Sequence, residues 1–462
     1  MNAREAPTTT PVDATGRAVQ MVSSARATSL RPLFGVAGTP LDQPLDQPTI
    51  GGFLHRGAKV DPIGLATVLS LGYAVAGRTV LAGVSCKEVD VNGFAATRVA
   101  NAAELEEIVT EAVRASLGSQ RPMVLLSGGR DSRLILLVMR KLAIRPSAVL
   151  TLAQRGAQSD AAVAARLAAA LGEPLERVAP LCFDGLRELD RHAMQSFQSL
   201  EHEWFMAISQ MVRARGHDLY GGLNGGLNGG DNGGGVTDGI GAGVLSTGSL
   251  LHPEAMLLWK DRRIEDLFEW TAAHGSGVSA EFLAAARAEG VPLAERDAVV
   301  NEFAGVMRSL ESTPNPLGMY SLLHWTRRGI GASAYGQLPH DRVRTPLFDE
   351  DLCRALAAMD GKEALAADWR ETMLRRLDDT GIPFSKAESG VLPRWLRYPV
   401  RSVRSRLGWI AFVRGLSPAL KRLATVADAS VGQRRSFDRA AVGLLASLDR
   451  STGFLSEPNL RG

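Results

Sequence analysis

Six consecutive residues have the composition needed to hold a polyanion: Ser127-Gly128-Gly129-Arg130-Asp131-Ser132. Two adjacent glycines let the backbone turn tightly enough to aim successive N–H groups inward, and the two serines bring hydroxyl donors. A helix starting there adds the positive end of its dipole. Phosphate suits such a cradle. A carboxylate inside it would repel phosphate, so Asp131 is expected to act through a Mg²⁺ ion that the phosphates share, and that combination points to ATP. The plainer reading is a glycine turn between an ordinary strand and helix.

The flanking residues supply the elements that would position this loop. Met123 to Leu126 is an apolar run suited to a buried strand, and an apolar-rich stretch suited to a helix follows Ser132. A helix is expected over 102–117, ahead of the loop. A second apolar run covers Ala148 to Ala153, after which Ser159-Asp160 caps an alanine-rich helix that Gly172 stops. Strand, glycine turn, helix, strand, helix is the pattern of an α/β doubly wound parallel sheet, in which ligands sit at the carboxyl ends of the strands. Upstream, Asp61-Pro62 is expected to open a helix that runs to Gly72.

SGGRDS resembles the SGGxDS loop of the N-type ATP pyrophosphatases, and the chain around it resembles the synthetase half of asparagine synthetase. The loop contains neither GxxxxGK[ST] nor GxGxxG. The resemblance implies an adenine nucleotide alpha hydrolase-like fold in which Leu126, Ser127, Gly128, Gly129, Asp131 and Ser132 bind ATP and Asp131 holds Mg²⁺. It also implies that Leu150, Thr151 and Leu152 back the adenine, with Leu152 in contact, and that Asp160 fills an acidic position opening the next helix.

A second loop of the family, DGxGGD, aligns with Asp238-Gly239-Ile240-Gly241-Ala242-Gly243 in the glycine-rich stretch from 220 to 248, which repeats GLNG. This implies Asp238 as a metal ligand and Gly239 as a nucleotide contact. The family's terminal aspartate is Gly243 here. Either Asp238, Asp231 or Asp218 supplies the carboxylate from a shifted loop, or the metal site is crippled; a glycine-rich lid and a surface loop without a role are the other readings of the stretch. Further along, RVRTPLFDEDLCRAL resembles the motif R-x-P-F-L-D with two residues transposed: Pro346 fixes a turn, Asp349 caps a helix and Arg344 is an ion-pair partner. Lys386, in the proline- and glycine-bounded segment GIPFSKAESGVLP, resembles the late lysine that stabilises the leaving pyrophosphate and is the expected catalytic cation, a plain surface lysine being the other reading.

The implied activity is an ATP-dependent amide-forming ligase that adenylates a carboxylate and passes the acyl group to an amine. Residue 2 is Asn where the family's glutaminase has its nucleophilic cysteine, so the amine is expected from free ammonia, a separate donor, or the substrate itself. The last case describes a macrolactam or β-lactam-type cyclase acting on a peptide or amino-acid-derived substrate. A catalytically impaired ATP-binding regulatory protein is the reading that Gly243 motivates.

At 462 residues, 45% hydrophobic and with a net charge of +3, the chain is expected to be soluble, and its charge gives no case for nucleic acid. The expected division is a mobile tail (1–30), a truncated glutaminase-like remnant (31–100), the ATP pyrophosphatase domain (101–393) and a basic helical extension (394–462). In the extension, 394–435 carries ten Lys or Arg and one acid, Asp428. A cationic solvated face is the plain reading; an acidic partner, a leader peptide or a membrane surface is the other. Cys86, Cys182 and Cys353 have no CxxC spacing and are expected in the core of a cytoplasmic protein. No apolar run reaches about eighteen residues and no signal core is present, so neither a membrane span nor secretion is expected.

Overall fold

The computed structural model describes residues 34–36, 58–86, 89, 91, 101–117, 122–153, 159–195, 197–200, 205–219, 236–237, 245, 250–331, 343–366, 369–385 and 399–455. It is an α/β structure built on a parallel sheet. Near the amino terminus, strand β1 (Phe34–Val36) pairs antiparallel with β2 (Val84–Cys86). Between them runs α1 (Pro62–Leu71), with Asp61 accepting from the Ile63 and Gly64 amides and Gly72 closing the helix at φ 91°.

The main sheet has five strands. Helix α2 (Ala102–Leu117) leads into β3 (Met123–Leu125), and α3 (Arg130–Lys141) leaves it for β4 (Ala148–Leu152). Helix α4 (Asp160–Leu171) then returns the chain to β5 (Leu175–Val178). Ser159 caps α4 through the Ala162 amide and Gly172 ends it at φ 69°. Helices α5 (Gly185–Met194) and α6 (Phe205–Leu219) follow, before β6 (Val236–Thr237). The strand order is β5-β4-β3-β6-β7, with β7 at Val343–Arg344, and every pairing is parallel. The chain builds outward from β3 to one edge and then crosses to β3's other side. The point of reversal therefore lies between β3 and β6, the position at which ligands sit in open α/β sheets.

Helices cover both faces of this sheet, as the strand period of two requires. Val124, Leu126 and Val149 point into a core shared with Val109, Leu137 and Leu167 of α2, α3 and α4. Met123, Leu125, Ala148 and Leu150 point the other way, onto Phe205, Ile208 and Val212 of α6. Each such side chain gains about 1.5–3 kcal/mol over exposure, which is what holds the strand under the loop in place.

Between β6 and β7 the described chain is helical: α7 (Pro253–Lys260), α8 (Ile264–His274), α9 (Ala280–Ala288), α10 (Arg296–Ser309) and α11 (Pro316–Tyr320). The last runs into a π-helical stretch, Ser321–Ile330, that buries Arg327 and Arg328. After β7, Pro346 opens a 3₁₀ turn, and Asp349 accepts from the Asp351 and Leu352 amides to cap α12 (Glu350–Ala357). Helices α13 (Gly361–Ala366) and α14 (Trp369–Leu377) lead to the segment Asp378–Ser385.

The basic carboxyl-terminal region forms α15 (Pro399–Arg414), α16 (Pro418–Ala429) and α17 (Gly432–Thr452). Trp409, Leu423 and Leu445 from these helices share one buried cluster with Leu65 and Leu69 of α1 and with Phe197. All three cysteines are free; Cys86 and Cys353 are buried and Cys182 is half-buried. Among the described residues, no helix is long and apolar enough to cross a membrane.

Candidate functional site

The glycine loop sits where β3 ends and α3 begins, on the strand next to β6 at the point of reversal. Leu126 continues the pairing of β3 by donating its amide to Leu150 O at 2.7 Å, so the turn starts only at Ser127. The next three amides all meet side-chain oxygens. Ser127 N–H donates to Ser132 Oγ at 3.0 Å, Gly128 N–H to Asp160 Oδ1 at 3.1 Å and Gly129 N–H to Ser127 Oγ at 3.1 Å. The two serine hydroxyls lie 3.0 Å apart. Gly129 is the N-cap of α3 and offers the helix no side-chain cap, unlike Ser159 on α4. The α3 end therefore keeps first-turn donors and the positive end of its dipole without a capping residue of its own.

Gly128 is required by crowding. A Cβ there would stand 2.4 Å from Ser385 Cβ and 3.0 Å from Val163 Cβ. Its φ need not be unusual; the space alone forbids a side chain. What crowds it is the segment Asp378–Ser385, laid against the loop. Ser385 donates its amide to Gly128 O at 2.9 Å and its hydroxyl to Asp160 Oδ1 at 2.6 Å. Arg133, buried on α3, fixes the rest of the segment by donating to Asp378 Oδ2 at 2.8 Å, Ile382 O at 2.6 Å and Pro383 O at 3.2 Å. Its guanidinium also lies 4.5 Å from the Phe384 ring centroid. Burial opposes ionisation of Asp378, but bonds from Thr380 and then Arg133 outweigh it and hold the carboxyl below its ordinary range.

Asp131 lies in the first turn of α3, with about a third of its side chain exposed, and its Oδ1 accepts from Arg370 Nη1 at 2.8 Å. Arg370 belongs to α14, which is held by a second carboxylate: Glu106 of α2 takes Lys141 at 2.8 Å and Arg376 at 2.9 Å. The site is therefore rimmed with cations, Arg370 beside Asp131 and Arg130 half-exposed at 5.0 Å from the Phe384 ring. Among the described residues, no three His, Cys, Asp or Glu side chains gather into a metal-binding group.

Of the residues singled out from sequence, Leu126, Ser127, Gly128, Gly129, Asp131 and Ser132 are together in this one turn. Leu152 stands at the carboxyl end of the neighbouring strand β4, and Asp160 reaches the loop directly. Asp238, Gly239 and Lys386 lie outside the described residues, as do Asp231 and Gly243; Asp218 falls in α6. The strand β6 ends at Thr237, one residue before Asp238, and Ser385 directly precedes Lys386. Sequence reasoning did not find Arg370, Arg133 or Ser385. The only local signal was Ser385's place next to Lys386 in a proline- and glycine-bounded segment. Compared with known proteins, the chain matches no family model and no curated protein.

Proposed function

We propose that the chain is an ATP-dependent amide-forming ligase of the asparagine synthetase type. The loop 127–132 holds the phosphates, a substrate carboxylate attacks the α-phosphorus to give an acyl-adenylate as pyrophosphate leaves, and an amine then attacks the acyl carbon, losing a proton and displacing AMP. The observation that carries this reading is the run of three loop amides, each directed at a side-chain oxygen, at the uncapped end of α3 where β3 ends. Phosphate oxygens can replace the two neutral serine hydroxyls as acceptors there. The rim supports the same reading, because α–β cleavage develops negative charge on the bridging oxygen and Arg370 and Arg130 offer charge of the opposite sign.

The donors present suit Mg²⁺ in a limited way. Mg²⁺ keeps several waters and takes one or two carboxylates plus substrate phosphates, so Asp131 can hold it if Arg370, at 2.8 Å from the same carboxylate, shares or yields it. Mg²⁺ would neutralise phosphate charge when bound. That Arg370 already neutralises Asp131 favours a second reading, a protein that binds nucleotide without turning it over.

Isotope exchange between pyrophosphate and ATP separates the two. Exchange that appears only with a particular carboxylate, and falls at least ~100-fold in Asp131→Asn with the fold intact, is the result expected of a ligase. ATP binding without exchange for any candidate carboxylate is the result that leaves only the second reading. Near-normal exchange in Asp131→Asn would remove the metal role.

A further inference from the structure

We infer that Asp160 is an internal anion which competes with phosphate for the loop, and so sets how tightly the site holds pyrophosphate. The inference rests on the phosphate-loop reading above and goes beyond it. The carboxylate lies 3.1 Å from Gly128 N, on the amide at the centre of the turn. A phosphate oxygen accepting from that N–H must take Asp160's place or sit against a full negative charge of the same sign. The other two loop amides are held by the neutral Ser127 and Ser132 hydroxyls, which yield to phosphate without such repulsion.

Asp160 cannot withdraw freely, because the same oxygen accepts the Ser385 hydroxyl at 2.6 Å and Ser385 N–H is bonded to Gly128 O at 2.9 Å. The three residues form a closed clasp in which one carboxylate oxygen serves both the loop and the segment Asp378–Ser385. Its location suits a reaction that must release pyrophosphate. An acid that weakens the hold on that product lets it leave, and the acid does so without touching the acyl group. Asp160 is thus an affinity-setting residue, and Ser385 is its positioning residue.

The test is calorimetric titration of the full chain with magnesium pyrophosphate, for the wild type, Asp160→Asn and Ser385→Ala. Asparagine keeps an oxygen for Gly128 and Ser385 but carries no charge, so Asp160→Asn should bind pyrophosphate about tenfold more tightly, a gap that narrows at high salt. Ser385→Ala leaves the charge in place and should not reproduce the gain. If Asp160→Asn does not fold, Asp160→Ser removes the same charge and carries the same expectation. Equal or weaker binding by the uncharged variant overturns the inference, as does an equal gain in Ser385→Ala, which would assign the effect to a loosened segment. Pyrophosphate binding by neither the wild type nor the variant would instead bring down the phosphate-loop reading itself.

Discussion

Two clusters in this molecule pair an arginine with a carboxylate, and they behave in opposite ways. At the glycine loop, Asp131 meets Arg370 with a third of the carboxylate exposed, and two of the surrounding amides are bonded to neutral serine hydroxyls that a ligand can replace. Between α5 and α17, Glu188 takes Arg191 Nη2 at 2.5 Å and His192 Nε2 at 3.1 Å, with all three side chains buried. There Gly443 of α17 has no room for a Cβ, which would stand 2.7 Å from Glu188 Cγ. Burial raises the Glu188 carboxyl, but Arg191 and then His192 outweigh it and hold the group below its ordinary range. Burial and then Arg191 push His192 down to about 4. The sealed cluster therefore holds its charges by burial and mutual pairing, with no partner that a ligand could exchange. A displaced pKa alone thus does not single out a functional site in this chain, because the Glu188 and His192 shifts come with packing.

The sharpest way to break that contrast is Arg191→Ala. It leaves Glu188 buried beside a neutral histidine and should cost about 3–5 kcal/mol of stability, read from denaturant unfolding, with the nucleotide affinity of the folded fraction unchanged. A changed affinity would mean that the two clusters are coupled.

Acidification comes next. His192 takes up its proton near pH 6.5 when unfolded but only at about 4 when folded. The unfolded state thus binds the extra proton in that window, and stability falls as pH drops through it, by about 3 kcal/mol for a shift of this size. His324, held well below its ordinary value by burial and then by Arg328 and Arg327, adds a loss of the same sign. Glu188 continues the loss below the ordinary carboxylate pKa. Unfolding midpoints at pH 7, 5.5 and 4.5 check this, and a flat profile would contradict it.

Gly128→Ala should be smaller in stability but specific to the loop. Forcing a methyl into the 2.4 Å gap against Ser385 is expected to cost about 1–3 kcal/mol and to weaken pyrophosphate binding, whereas Gly443→Ala should give a similar cost with binding intact. The smallest expected effect is Ser159→Ala, which removes the cap of α4 for about 1 kcal/mol. Because that cap precedes Asp160 directly, a large loss of pyrophosphate affinity there would show that the register of α4 matters more than the charge it carries.

Much of the scaffold around the loop is legible in local sequence. The span of α2, the strand before the loop, Asp61-Pro62 at the start of α1, and Ser159 with Gly172 at the ends of α4 depend on neighbours only a few residues away, and each forms as its residues direct. The order of the five strands was not legible, because β6 and β7 are two residues long and pair across more than a hundred intervening positions. Arg370 and Ser385 reach the loop from 239 and 225 residues beyond their partners, and no spacing in the chain announces such a contact. The spacing of Glu188, Arg191 and His192 is visible, but on a helix it reads as an ordinary solvated face until α17 packs over it. The π-helical stretch at Ser321–Ile330 gave no warning in composition.

One further consequence follows from Glu106. By taking Lys141 and Arg376 at once, this single carboxylate ties α2 to both α3 and α14 at the back of the loop. Adjustment between Arg370 and Asp131 is then expected from rotation of the two side chains more than from travel of α14. Changes of shape on ligand binding should accordingly be small on that flank and concentrated on the opposite one, at the amino end of α4.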